Sequence, residues 1–129
     1  MKFKPNNPPR AFKVGRGKPF EVKDCAHIEL EPQEQITLLT ETGAEYDVAR
    51  TQWGFYATPS LNGRLQQFGL RGVLVKHPVS NRFYIFLVEK GKDKEFQQYL
   101  KTEGHKIVCW LDCDSELEKL DQALSGKAR

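Results

Sequence analysis

Apolar and polar residues alternate most clearly where Ala26, Ile28 and Leu30 interleave with His27, Glu29 and Glu31. A period of two over this length predicts a half-buried strand, and Pro32 ends it. Upstream, residues 11–14 and 20–23 read as short strands separated by a turn over 15–19. Residues 35–41 and 45–49 are rich in Ile, Leu, Thr, Tyr and Val, and Thr42-Gly43 between them supplies the positive-φ position of a tight hairpin. Residues 51–57 read as a continuing strand. Over 58–69 two patterns compete. Asn62-Gly63 suits a hairpin turn. Thr58 as N-cap, Pro59 at the first helical position, Leu61, Leu65 and Phe68 on one face and Gly69 as the stop predict a short helix. Gly63 inside that helix costs about 1 kcal/mol, but four concordant signals favour helix.

A second hairpin is predicted from residues 70–76 and 82–89 around His77-Pro78-Val79-Ser80-Asn81. Residues 93–103 then form a helix with Phe96, Tyr99 and Leu100 inward and Gly104 closing it. Residues 106–111 make a buried strand. Ser115 with Glu118 reads as a capping box for a last helix, whose apolar stripe is Leu117, Leu120 and Leu124. Antiparallel strands first, then strand, helix, strand, helix, predict an α+β fold on a mainly antiparallel sheet, with two C-terminal helices and a short helix near 59–68. Pro5, Pro8 and Pro9 fix φ and remove donors, so residues 1–10 read as an extended basic arm and 11–129 as one α+β domain.

Composition narrows the class. The chain has 129 residues, 39% hydrophobic and 29% charged, enough for one soluble domain with its own core. No apolar run approaches the roughly 18 residues of a membrane span, and no apolar segment follows the basic start as in a signal peptide. Cys25, Cys109 and Cys113 are an odd set without disulfide-framework spacing. A cytoplasmic protein is the reading that follows. Lys2, Lys4, Arg10, Lys13, Arg16 and Lys18 stand in the first 18 residues without an acid, which opens nucleic-acid binding as an alternative. No nucleic-acid-binding module accompanies them.

Charge becomes informative in the middle. From Val48 to Val88 there is no acidic residue, only Arg50, Arg64, Arg71, Lys76 and Arg82, interleaved with Trp53, Phe55, Tyr56, Phe68, Phe83, Tyr84 and Phe86. One-sided charge among rings is what a site for an anionic, partly flat ligand needs. Trp53 and Tyr56 would stack on it, Arg64 and Arg71 would meet its charge, and Asn62 would read a polar edge. The plainer alternative makes Trp53, Phe55, Phe68 and Phe86 core and pairs the arginines with Glu29, Glu31, Glu41 or Asp47 across the sheet.

Other chemistry has weaker support. His105, Cys109 and Cys113 are spaced by four, with Cys25 and His27 elsewhere. On a strand the three would span about 27 Å at roughly 3.3 Å per residue, so no metal site and no cofactor are expected. No nucleophile elbow, phosphate loop or dinucleotide fingerprint occurs. Tyr46, Asp47 and His77 are the residues a small enzyme would use as proton carriers, so the enzyme question stays open and leans towards no. The aromatic excess also suits a homo-oligomer interface.

The runs Asp24-Cys25, Leu30-Glu31-Pro32, Glu34-Gln35, the stretch from Thr40 to Arg50, and above all Trp53-Gly54-Phe55-Tyr56-Ala57-Thr58-Pro59-Ser60-Leu61-Asn62-Gly63-Arg64-Leu65 with Phe68-Gly69-Leu70 resemble a group of short uncharacterised bacterial proteins. The resemblance covers about residues 1–112. It implies an accessory role in bacterial cell-surface polysaccharide biosynthesis, with nucleotide-sugar or glycan intermediates nearby, and carries no catalytic residue. The expectation is a non-catalytic binding or accessory protein whose partner is an anionic small molecule, such as a nucleotide-sugar, or an acidic protein.

Overall fold

The computed structural model describes residues 1–127, with the side chain of Lys127 left aside. Two long strands open the chain, β1 (Lys2–Val14) and β2 (Phe20–Glu29), paired antiparallel as a two-stranded sheet. The N-terminal segment is extended, as its prolines predict, and from Lys2 onward that extended chain is a paired strand. The register explains how prolines fit: Pro5 lies opposite Ala26 and Arg10 opposite Asp24, so residues 6–9 bulge opposite Cys25 alone. Pro8 and Pro9 sit in that bulge, where no ladder donor is required. The Asn6 side chain donates to the Asp24 carbonyl at 2.9 Å and ties the bulge down. Pairing also engages the N-terminal charges. Lys2 and Lys4 reach Glu29 at 3.7 and 3.8 Å, Arg10 reaches Asp24 at 3.3 Å, and the terminal amine reaches Glu34 at 2.9 Å.

A three-stranded sheet follows in the order β3 (Gln35–Leu39), β4 (Glu45–Thr51), β5 (Gly54–Ala57). Gly43, at φ 101°, turns the first hairpin as its sequence predicts. Residues 51–57 do not continue as one strand. Gln52 and Trp53 form a two-residue turn, because Thr51 pairs with Gly54 and the chain runs back along β4.

The third sheet has the order β7 (Arg82–Glu89), β6 (Leu70–His77), β8 (Lys106–Trp110), antiparallel throughout. Between β5 and β6 lies α1 (Arg64–Gln67), a single turn. The predicted helix begins late. Ser60, not Thr58, organises its start, its hydroxyl accepting from the Arg64 N–H at 2.9 Å and its carbonyl from Gly63 and Leu65. Helix α2 (Asp93–Glu103) matches expectation, closed by Gly104 at φ 74°. Helix α3 (Asp114–Lys127) starts before Ser115, so the capping box does not form, and Leu120 and Leu124 of its apolar stripe are exposed.

By packing, the described chain divides into two units: Met1–Leu38 with Asp47–Thr58, and Leu39–Tyr46 with Pro59 onward. In the second, alternation along β6 builds a core on each sheet face. Val73 and Val75 pack with Val88, Leu100, Phe86, Phe96, Ile107 and Trp110 on the α2 side. On the other side Leu70 packs with Ala44 and Leu65, joined by Tyr46 and Leu87. The fold is α+β, built on antiparallel sheets.

Candidate functional site

The β4–β5 hairpin carries the most exposed ring surface of the acid-free segment. Its two-residue turn places Trp53 at the tip, 75% exposed, with Phe55 at 64% and Tyr56 at 52% just beyond. Phe55 pairs with Arg50 and Tyr56 with Ala49, so consecutive rings leave opposite faces of the strand. Arg50 is held in place. Its N–H donates to the Glu34 carbonyl at 2.8 Å, its carbonyl accepts from Gln33 at 2.7 Å, and its guanidinium donates to the Gly54 carbonyl at 3.4 Å. The guanidinium carbon lies 5.9 Å from the centre of the Phe55 ring. Three exposed rings thus surround the turn, with a cation held back against its own hairpin.

The other expected ligand residues belong to the second unit and have partners there. Arg71 forms a bidentate pair with Asp112, at 2.6 and 3.2 Å, and its guanidinium lies 3.9 Å from the Trp110 ring centre. The hydrogen bonds to Asp112 push its pKa above the ordinary arginine value. Arg71 is therefore a structural cation, paired with none of the four acids weighed from the sequence. Asn62 donates to Asp114 at 2.9 Å, at the start of α3. Arg64 lies over the Phe68 ring at 5.1 Å. Trp53 and Tyr56 fall in the first unit, and Asn62, Arg64 and Arg71 in the second.

Of the three proton carriers, Asp47 is in the first unit and accepts from the Thr37 hydroxyl at 2.6 Å. Tyr46 packs beside Leu70 on one face of β6, and burial raises its pKa. His77, seven positions from Leu70, lies on the opposite face. Tyr46 and His77 do not converge. The three cysteines are free thiols. Cys113 is held below the usual thiol range by hydrogen bonding with Ser115, and burial pushes Cys109 up. Among the described residues no group of three or more His, Cys, Asp or Glu side chains gathers as metal ligands, and no helix is long and apolar enough to cross a membrane.

Two features escaped the sequence reading. His105 stands in a nest of rings: His77 at 5.2 Å, Phe86 and Tyr99 at 5.7 Å and Tyr84 at 5.9 Å between centroids. His77 Nδ1 accepts from the Ser80 N–H at 3.2 Å, while His105 Nδ1 is buried without a hydrogen-bond partner among the described residues. Burial first, then the neighbouring His77, lowers the His105 pKa, and buried Glu103 acts in the opposite sense. The second feature is an apolar cleft of about 710 Å³ between β7 and α2, lined by Phe86, Val88, Lys92, Glu95, Phe96 and Tyr99 among others. None of the five residues expected to bind ligand lines it. The β7 and α2 patterns signalled core, and only their packing shows a gap. No family model, no curated protein and no solved structure matches this chain.

Proposed function

We propose that this protein is a non-catalytic binding protein that holds an acidic partner protein through the β4–β5 hairpin, as an accessory component of bacterial surface-carbohydrate metabolism. The observation that carries the reading is Trp53, 75% exposed at the turn, flanked by exposed Phe55 and Tyr56 and the anchored Arg50. Tryptophan, tyrosine and arginine are the residue types that concentrate binding energy at protein interfaces. The absence of any acid between Val48 and Val88 favours a partner of negative charge. Shape argues for a protein over a nucleotide-sugar. Small-molecule sites are concave and bury most of their ligand, whereas these rings project from a turn. Arg71, which the nucleotide-sugar reading needs, is occupied by Asp112. The nucleic-acid alternative loses ground too, since Lys2, Lys4 and Arg10 meet carboxylates of their own hairpin.

The test is a photoreactive amino acid at position 53, irradiated in an extract of the source cells, with the adduct identified by mass spectrometry. The expected result is one acidic protein, trapped at position 53 and not when the same group replaces Val79, and competed by excess purified wild-type chain but not by its Trp53→Ala variant. A thermal-shift panel of nucleotides, nucleotide-sugars and sugar phosphates runs beside it. Stabilisation by a nucleotide-sugar that Trp53→Ala abolishes would replace the protein partner with the small anion.

A further inference from the structure

The β1–β2 hairpin is a two-stranded sheet, with no third strand on either edge among the described residues. A lone hairpin is marginal in water unless something packs on its apolar face. The register shows where that face lies. Phe12 stands opposite Val22 and Val14 opposite Phe20, and residues two apart on a strand share a face, so these four side chains form one patch beside the turn. Phe12 and Phe20 are 41% and 47% exposed. The next rung inward on the same face is Arg10 with Asp24, paired at 3.3 Å, and the Arg10 guanidinium lies 5.6 Å from the centre of the Phe12 ring. Lys13, Glu21 and Lys23 occupy the opposite face, all exposed.

Charge gathers at the same end. Residues 10–24 hold five cations, Arg10, Lys13, Arg16, Lys18 and Lys23, against Glu21 and Asp24, a net charge of +3. The whole chain has 20 Lys and Arg against 17 Asp and Glu, so the other 114 residues balance at 15 against 15. The excess positive charge of this protein is therefore the charge of one hairpin end. The Arg10–Asp24 pair is already counted in that balance. A charged surface responds to net charge over about 10 Å, so internal pairs do not cancel the excess.

We propose that this end of the hairpin is a peripheral docking surface for an anionic lipid bilayer. A bilayer uses both features at once: its apolar interior takes up Phe12, Val14, Phe20 and Val22, and its negative headgroups answer the surrounding cations. A second copy of the chain brings the same +3 and is repelled. A nucleic acid meets the charge, but bases stack on rings, and two of the four patch side chains are valines. The cations spread over the turn and both sheet faces, so they match a fluid array of headgroups better than a fixed set of carboxylates on a protein. Backbone chemistry limits the depth. Both strand edges carry unpaired N–H and C=O groups, which hydrocarbon excludes. The hairpin thus lies along the interface, apolar face down, with lysine stems reaching back to the headgroups. Such attachment is shallow and reversible, and it uses no residue of the Trp53 hairpin.

Co-sedimentation of the full chain with lipid vesicles at low salt tests this. Vesicles of equal parts phosphatidylglycerol and phosphatidylcholine are expected to carry the protein down, and phosphatidylcholine alone to leave it in solution. Phe20→Ser, with unchanged far-UV circular dichroism, loses about tenfold in vesicle affinity. Should Phe20→Ser fail to fold, exposed charges carry the test. Lys13→Gln with Lys23→Gln weakens binding about fivefold for each lysine. Lys94→Gln with Lys101→Gln, on α2, lowers the net charge equally and leaves binding unchanged. A wild type that ignores anionic vesicles, or binds neutral ones as well, overturns the proposal. So does an affinity indifferent to Phe20→Ser in a folded protein, or one that falls equally with either lysine pair. An oligonucleotide or polyglutamate bound as tightly as the vesicles, and equally by Phe20→Ser, makes the surface a polyanion site and overturns it too.

Discussion

Replacing Arg71 by alanine separates a structural cation from a ligand-binding one. In the native protein its guanidinium meets Asp112 twice and covers Trp110. The Asp112 side chain is only 5% exposed, and that of Arg71 33%. Removing one member of a buried ion pair costs about 3–5 kcal/mol, because the other charge remains buried and unpaired. Arg71 reaches solvent, so water can enter behind the truncated side chain and reduce this to about 2–3 kcal/mol. Loss of the cation–π contact adds about 0.5–1 kcal/mol. The total, about 3 kcal/mol, corresponds to roughly 10 °C in melting temperature for a domain of this size. Arg71→Lys keeps the charge but loses the fork and the stacked plane, and should cost about half as much. The assay is urea unfolding followed by Trp110 fluorescence in a Trp53→Phe background, where the remaining tryptophan reports the second unit. A double-mutant cycle with Asp112→Ala isolates the pair. An Arg71→Ala protein as stable as wild type, yet deficient in binding anions, would refute the structural assignment.

Further outcomes follow from the same packing. Leu65→Ala, at a fully buried side chain between Ala44 and Leu70, should cost about 2–5 kcal/mol in urea unfolding. Gly104→Ala places a Cβ in open space but on a left-handed residue, so about 1 kcal/mol is lost through backbone strain alone, read as a lower urea midpoint. Arg64→Ala, at an exposed residue over Phe68, should move the melting temperature little. Burial holds the His105 pKa below its ordinary 6.5, so the unfolded chain takes up a proton there before the folded one does. Stability is thus full above pH 6.5 and falls as pH drops below it, until the folded imidazole also titrates. His105→Phe should flatten that part of the melting-temperature profile, and an unchanged slope would place the titration elsewhere.

The parts of the fold legible in the sequence are those whose signals are local. Helix α2 announces itself through Phe96, Tyr99 and Leu100 at helical spacing and Gly104 at its stop, and both features stand in the structure. The β6–β7 hairpin is equally plain. Strand β1 was hidden because Pro8 and Pro9 look like arm until the bulge opposite Cys25 gives them a place. The late start of α1 follows from Gly63, which lets Ser60 take over the turn that Thr58 and Pro59 suggest. The candidate site was legible only by composition. Rings and arginines were identified, but the partner of Arg71 lies 41 residues away, beyond any pattern of spacing. The ring nest around His105 draws on β6, β7, α2 and the start of β8, and only tertiary packing assembles it.

The boundary between the two packing units cuts the backbone at Leu38/Leu39, at Tyr46/Asp47 and at Thr58/Pro59, the first two inside β3 and β4. Neither unit is therefore a single stretch of chain, and no one scission yields two intact halves. A fragment beginning at Pro59 lacks Ala44 and Tyr46, which complete the cluster around Leu65 and Leu70. A fragment ending at Thr58 keeps that hairpin tip with nothing of its core to receive it. Strands β3 and β4 each run from one unit into the other, so each unit holds part of both.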